Sequence, residues 1–222
     1  MHIGLIGGIG PAATDFYYRG LIDRHVTSGI PLDVTICHAD VREMSRNLTG
    51  KNPERQAEIF AKLVQRMKDA GAAAAAITSM GGHFCVNQLM AISPLPILNA
   101  IPEVDAALAR RKLKTVGIIG TRTVMETKLY GGIPSVEVVP TEGEDLDRVH
   151  SNYVEMATVG HVNEAQRQVF FEAGRRLTAR GAEVVMLGGT DLFLAFAGHD
   201  PGFAVIDCAD IHVDAIYTKS AA

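Results

Sequence analysis

Three glycine-rich segments and a few scattered polar residues are the parts of this sequence that can do chemistry. Gly8-Ile9-Gly10-Pro11-Ala12-Ala13 follows an apolar run and precedes an amphipathic one, so it reads as a strand-to-helix turn. Bare backbone amides beside a helix N-terminus favour an anion. The run also fits the G-x-G-x-x-A dinucleotide fingerprint, with Asp40 as the ribose-binding acid, though further along the chain than usual. Pro11 removes a donor that a pyrophosphate would use. A small carboxylate therefore suits Gly8, Ile9, Gly10 and Pro11 better than NAD.

The second segment is Thr78-Ser79-Met80-Gly81-Gly82-His83. Gly81-Gly82 permits close backbone approach to a ligand. Ser79 would be a nucleophile if His83 activated it, but no G-x-S-x-G elbow surrounds it, and a hydrogen-bonding strand-end residue is the simpler reading. The third segment is Gly188-Gly189-Thr190-Asp191, in which Thr190 offers a hydroxyl and Asp191 suits a helix cap. His161 follows Gly160 ahead of a helical pattern. Arg42 and Arg46 follow the second strand, where either would grip a carboxylate in bidentate fashion or simply be solvated. No spacing among Asp207, Cys208, Asp210 and His212 specifies a metal. Cys37, Cys85 and Cys208 show no CxxC pattern and read as small buried hydrophobes.

These segments need strands to present them. Short apolar runs at 2–6, 33–38, 73–79, 96–98, 115–119, 136–139, 183–187 and 203–206 read as buried parallel strands. Helical patterns lie between them at 13–25, 54–70, 88–91, 101–111, 123–130, 144–157 and 162–180. Such alternation predicts an α/β fold with doubly wound parallel sheets. The chain also repeats itself. The segment beginning Gly4-Leu5-Ile6-Gly7 resembles Gly117-Ile118-Ile119-Gly120, and Gly71-Ala72-Ala73 onward resembles Gly181-Ala182-Glu183 onward, at offsets of 113 and 110 residues. Two offsets in one order point to an internal duplication. Ligands of open α/β sheets bind beyond the carboxyl ends of the strands, which is where all three glycine-rich segments fall.

The bulk composition narrows the field. The sequence has 222 residues, 47% of them hydrophobic, and a net charge of −4. That supports a real core and argues against a nucleic-acid partner. No apolar stretch is long enough to span a membrane. The N-terminus enters a strand at once with no charged leader, so a cytoplasmic protein is expected.

Taken together, the segments resemble the aspartate/glutamate racemase family. Gly7-Gly8-Ile9-Gly10-Pro11-Ala12-Ala13-Thr14 resembles its opening GGMGPxAT, and Gly120-Thr121-Arg122-Thr123-Val124-Met125 followed by Tyr130 resembles GTxxTM…Y. Gly181-Ala182-Glu183 through Leu187-Gly188-Gly189-Thr190-Asp191-Leu192 resembles GA(D/E)…LGCTEL, and Ile206-Asp207 with Ile211-His212 resembles ID…LHA. The resemblance covers nearly the whole chain. It implies two Rossmann-like lobes related by pseudo-twofold symmetry, 1–101 with 207–222 and 102–206, with the site in the cleft between them. It further implies a homodimer, a small carboxylate or amino-acid ligand, and no cofactor or metal.

The family's reaction uses two bases: one cysteine takes the α-proton and another returns a proton to the opposite face, because a thiol's pKa can be brought near neutral. Aligned on His83, the first cysteine is Ser79 here, and its CNTxH neighbours are Met80 and Gly81. The second is Gly189. A lysine of aspartate-specific members becomes His161. A hydroxyl is a far weaker acid than a thiol, and glycine carries no proton. The resemblance therefore implies an isomerase or lyase of a small carboxylate with altered chemistry, or a non-catalytic carboxylate binder. His83 and His161 are the candidates for proton transfer. Ser79 and Gly189 mark the family's cysteine positions. Gly8–Pro11, Arg42, Arg46, Met80, Gly81, Thr121, Thr123 and Thr190 are the candidates for ligand binding.

Overall fold

In the computed structural model, which describes all 222 residues, each expected strand is present with its ends within two residues of those expected. The first half builds β1 (Ile3–Gly7), α1 (Pro11–Ser28), β2 (Val34–His38), α2 (Val41–Thr49), α3 (Pro53–Asp69), β3 (Ala74–Ile77), a 3₁₀ turn (Gly81–Cys85), α4 (Val86–Ile92) and β4 (Ile97–Leu98). The second half builds α5 (Ala100–Arg110), β5 (Thr115–Ile119), α6 (Arg122–Glu126), β6 (Glu137–Pro140), α7 (Gly143–Val159) and α8 (Glu164–Ala179). It continues with β7 (Val184–Leu187), a 3₁₀ turn (Thr190–Leu192), α9 (Phe193–Phe196), β8 (Val205–Asp207) and α10 (Cys208–Ser220).

The strands form two four-stranded parallel sheets, ordered β2-β1-β3-β4 and β6-β5-β7-β8. The two orders are the same order, as the internal repeat predicts. The central strands β1, β3 and β7 are buried at every residue. That is why they read as unbroken apolar runs: helices cover both faces of a parallel sheet. The edge strand β2 alternates between half-buried and exposed residues. The chain divides into two compact units, Met1–Asn99 with His212–Ala222, and Ala100–Ile211. The expected limits were 101/102 and 206/207. β8 pairs with β7 as far as Asp207, which ties that residue to the second sheet.

The repeated glycines have matching packing roles. A Cβ on Gly4 would lie 2.5 Å from Met67 Sδ, and one on Gly117 would lie 2.9 Å from Leu177 Cβ. In each unit a bare strand backbone lets the preceding-strand helix, α3 or α8, lie close on the sheet. Gly71 and Gly181 both take φ of 96° just past those helices, a conformation that L side chains rarely adopt.

Three helical expectations need correction. Residues 41–49, where no helical pattern is expected, form α2. Asp40 caps it by accepting from the Glu43 amide at 2.8 Å, and only Met44 on it is buried, so the apolar periodicity is too thin to read. The expected helix 123–130 stops at Glu126. Lys128, Leu129 and Tyr130 all take positive φ, and the turn seats Leu129 fully inside the protein. Residues 208–220, where no helical pattern is expected, form α10, whose stripe of Cys208, Ala209, Val213 and Ile216 is interrupted by a buried histidine, His212.

Candidate active site

In the first unit, the turn after β1 is closed by Thr14. Its Oγ1 accepts from the Gly8 amide at 2.9 Å, donates to the Gly10 carbonyl at 3.1 Å and lies 3.3 Å from Thr78 Oγ1. One amide of the expected anion cradle is thus committed within the protein. Pro11 starts α1 and Gly10 precedes it with φ of 114°. Asp40 caps α2 rather than extending as a ribose acid. Arg42 and Arg46 lie on α2, both exposed.

At the end of β3, Ser79 is buried and its Oγ accepts from the Gly82 amide at 3.2 Å. Met80 and Gly81 are buried beside it. The His83 ring contacts the Ser79 main chain: Nδ1–H donates to the Ser79 carbonyl at 2.7 Å. A carbonyl only accepts, so this bond fixes the tautomer with the proton on Nδ1. His83 is 1% exposed, and burial pushes its pKa down to about 4. Its ring stands edge-to-face against His212 at 5.5 Å. His212 in turn donates from Nε2 to the Leu98 carbonyl at 2.9 Å and accepts on Nδ1 from the Tyr17 hydroxyl at 2.8 Å. Burial, with His83 nearby, pushes the pKa of His212 down to about 3. Both imidazoles are therefore neutral above weakly acid pH, and each holds a backbone carbonyl. Neither Tyr17 nor His212 was singled out as part of this group in the sequence, because their contact spans 195 residues.

In the second unit, Thr121 caps α6, its hydroxyl accepting from the Val124 amide at 3.4 Å. Thr123 is half-buried on the same helix, and Thr190 is buried after β7. His161 is exposed just past α7, where Nδ1–H donates to the Val159 carbonyl at 3.3 Å.

The end of β7 holds the residue that sequence reasoning missed. Tyr153, on α7, is buried and donates its hydroxyl to Asp191 Oδ2 at 2.9 Å. Burial foremost, and the neighbouring Asp191 carboxylate, hold the phenol pKa well above its usual value. Asp191 is 4% exposed; it is a buried acceptor here, not the cap of a solvent-facing helix. Tyr153 belongs to an apolar stripe with Leu146, Val149 and Met156, a helical spacing that conceals it among core residues.

Two of the three thiols are buried and hard to ionise. Burial pushes Cys85 up to about 12, and burial together with nearby Asp207 pushes Cys208 well above the normal thiol value. Asp207 sits at the end of β8, half-buried, its Oδ1 accepting from the Ala209 amide at 2.8 Å. Burial raises its pKa to about 7 despite that bond. No group of three or more His, Cys, Asp or Glu side chains is arranged to hold a metal ion, and no helix is long and apolar enough to cross a membrane.

The sequence matches the model of the Asp/Glu/Hydantoin racemase family over residues 6–216. Among solved structures, a candidate Asp/Glu racemase from Yersinia pestis has a TM-score of 0.85 at 23% identity, with 99% of each chain covered. An aspartate racemase homologue from Pyrococcus horikoshii OT3 gives 0.81 at 23% identity, covering 100% of this chain and 99% of that one. A glutamate racemase from Francisella tularensis in complex with D-glutamate gives 0.66 at 16% identity, covering 98% and 80%. At such identities these likenesses concern the fold. The parallel four-stranded sheets, the glycine-rich strand ends and a family match along almost the entire sequence lead to one assignment: the chain belongs to the Asp/Glu/Hydantoin racemase family.

Proposed function

We propose that this protein acts on a small carboxylate, of the amino-acid or dicarboxylate kind, as an isomerase or lyase that does not use two thiols. The observation that carries this reading is the pair of corresponding strand ends. Ser79 follows β3 and Gly189 follows β7, and the resemblance of their segments to the family motifs puts them where those motifs have cysteine. A serine hydroxyl whose Oγ accepts from Gly82 is a weak base near neutral pH, and glycine offers no proton at all. Catalysis then has to recruit other groups. His161, exposed and following α7, is the candidate for proton transfer. His83 is better suited to orient the Ser79 peptide than to take a proton, since its Nδ1–H is bonded to the Ser79 carbonyl and burial, lowering its pKa to about 4, makes the ring a weak base.

For ligand binding we propose the Ile9 and Gly10 amides with Pro11 after β1, Thr121 and Thr123 on α6, and Thr190 after β7. Arg42 or Arg46 would pair with a distal carboxylate. The Gly8 amide is bonded to Thr14 and contributes to the shape of the turn. A homodimer that works in the cytoplasm without a cofactor belongs to the same reading, and sedimentation velocity would test the dimer.

The test is incubation of L- and D-aspartate and L- and D-glutamate in D₂O, with NMR detection of deuterium at Cα. Little or no exchange is expected. Exchange at an ordinary enzymatic rate would refute the altered chemistry. A second reading, a carboxylate binder without catalysis, is favoured by the lowered imidazole pKa of His83 and raised thiol pKa of Cys85 after β3, and by the raised thiol pKa of Cys208 after β8. Thermal-shift titration separates the readings from a nucleotide site, because a ligand of the folded state raises apparent stability. Stabilisation by NAD and by no carboxylate would sink both.

A further inference from the structure

Gly189 has no backbone reason to be glycine. Its φ of −122° and ψ of 125° are extended values open to any residue. The space where its side chain would go is nevertheless full. A Cβ built there would lie 2.3 Å from Tyr153 Cε2, 2.7 Å from Cζ and 3.0 Å from the hydroxyl oxygen. Carbon atoms in contact sit at about 3.5–4.0 Å, so a thiol at this position would overlap the ring.

The ring is not free to swing aside. Tyr153 packs in the core cluster that includes Leu146, Val149, Met156 and Phe170, and its hydroxyl is bonded to buried Asp191. A tyrosine has two side-chain torsions, and rotating either out of this site would break that bond and open a void.

We propose that Tyr153, anchored by Asp191, occupies the side-chain volume of position 189 and so excludes a second thiol from it. The loss of a second base is then a paired change, a small residue on β7's end and a large one on α7, and reversing only Gly189 cannot undo it. The proposal rests on the reading that position 189 is the family's second proton-transfer position. Its structural part stands on the unit's own packing.

The experiment is a double-mutant cycle read by thermal and urea unfolding. Gly189→Cys alone should lower Tm by about 3–10 °C, the range for overpacking a core in a chain of this size. In a Tyr153→Leu background, which removes the three colliding atoms, the same change should lower Tm by less than about a third of that shift. Tyr153→Phe keeps the ring and loses only the hydroxyl, so Tyr153→Phe with Gly189→Cys should keep the full drop. If Tyr153→Leu does not fold, Tyr153→Met serves in its place, as a flexible side chain that fills irregular space. Equal losses in the ring and ringless backgrounds, or no loss from Gly189→Cys in the wild-type background, would overturn the proposal.

A second arm separates this from the functional reading. Ser79→Cys/Gly189→Cys is compared with Ser79→Cys/Gly189→Cys/Tyr153→Leu for Cα–H exchange of aspartate and glutamate in D₂O. Gain of exchange only in the triple variant supports both. Coupled stability with no exchange in either variant would remove position 189 from proton transfer while leaving the ring's occupancy of that volume intact.

Discussion

Replacing His83 by Asn tests whether the imidazole beside Ser79 is a neutral structural donor. The asparagine amide can stand near the place of Nδ1 and still donate to the Ser79 carbonyl, but it does not titrate. In the native protein burial lowers the pKa of His83 from 6.5 to about 4. In the unfolded chain the residue takes up a proton as pH falls below the normal value, while the folded protein does not. The unfolded state then binds more protons, so stability falls as pH drops from about 6.5 to about 4 and falls no further below that. Between about pH 7.5 and about pH 5 this single site removes about 2 kcal/mol, from the ratio of unfolded to folded proton binding. At about pH 5 the folded ring is still neutral even if its pKa differs by a few tenths, so the figure depends little on that value. The opposing group is Asp207. Its pKa, raised to about 7 by burial, supplies stability at low pH that is lost as pH rises towards 7. His212 acts in the same direction as His83. Both are present in wild type and variant, so they cancel in the comparison. Urea unfolding at the two pH values should give a wild-type loss exceeding the His83→Asn loss by about 2 kcal/mol. Equal pH dependence in the two proteins would refute the neutral, buried imidazole and return His83 to the list of titrating groups.

Three further outcomes follow from packing and capping. Gly4→Ala and Gly117→Ala should both destabilise, because the added Cβ would lie 3.0 Å from Met67 Cβ in one case and 2.9 Å from Leu177 Cβ in the other, atoms tied to their own backbones; each should cost about 1–3 kcal/mol in urea unfolding, and no loss in either would contradict the packing described. Asn163→Ala breaks a reciprocal cap at the start of α8, where Asn163 Oδ1 accepts from the Gln166 amide at 2.9 Å and Gln166 Oε1 accepts from the Asn163 amide at 3.0 Å; a loss of about 1 kcal/mol is expected, and no change in the unfolding midpoint would count against it. Iodoacetamide under native conditions should modify half-buried Cys37 and spare Cys85 and Cys208, which are buried and hard to ionise; peptide mass mapping that finds Cys85 or Cys208 modified first would show that these sites open.

Much of the fold could be read along the chain because it rests on local physics. The central strands β1, β3 and β7, buried on both faces, must be apolar throughout, and the short apolar runs along the chain mark where all eight strands fall. Repeated glycines at 4 and 117, and at 71 and 181, exposed the duplication, because both copies need the same close helix approach and the same left-handed turn. The glycine-rich strand ends and the family motifs that include them were equally legible. Elements without a clean apolar stripe were missed: α2 is held by the Asp40 cap with one buried side chain, and α10 sets a buried histidine, His212, into its core stripe.

What only the tertiary structure decided is the state of the chemical groups at those strand ends. Whether His83 carries charge depends on how completely it is enclosed and on which atom accepts its proton, and neither is encoded in spacing. That Gly8's amide is spent on Thr14, and that His83 leans on a Tyr17–His212 pair 195 residues apart in sequence, are results of chain folding. Gly189 is the clearest case. Sequence identified it as a position lacking a proton donor, whereas packing revealed Tyr153 in the space its side chain would fill, because excluded volume is a property of neighbours in space and not along the chain.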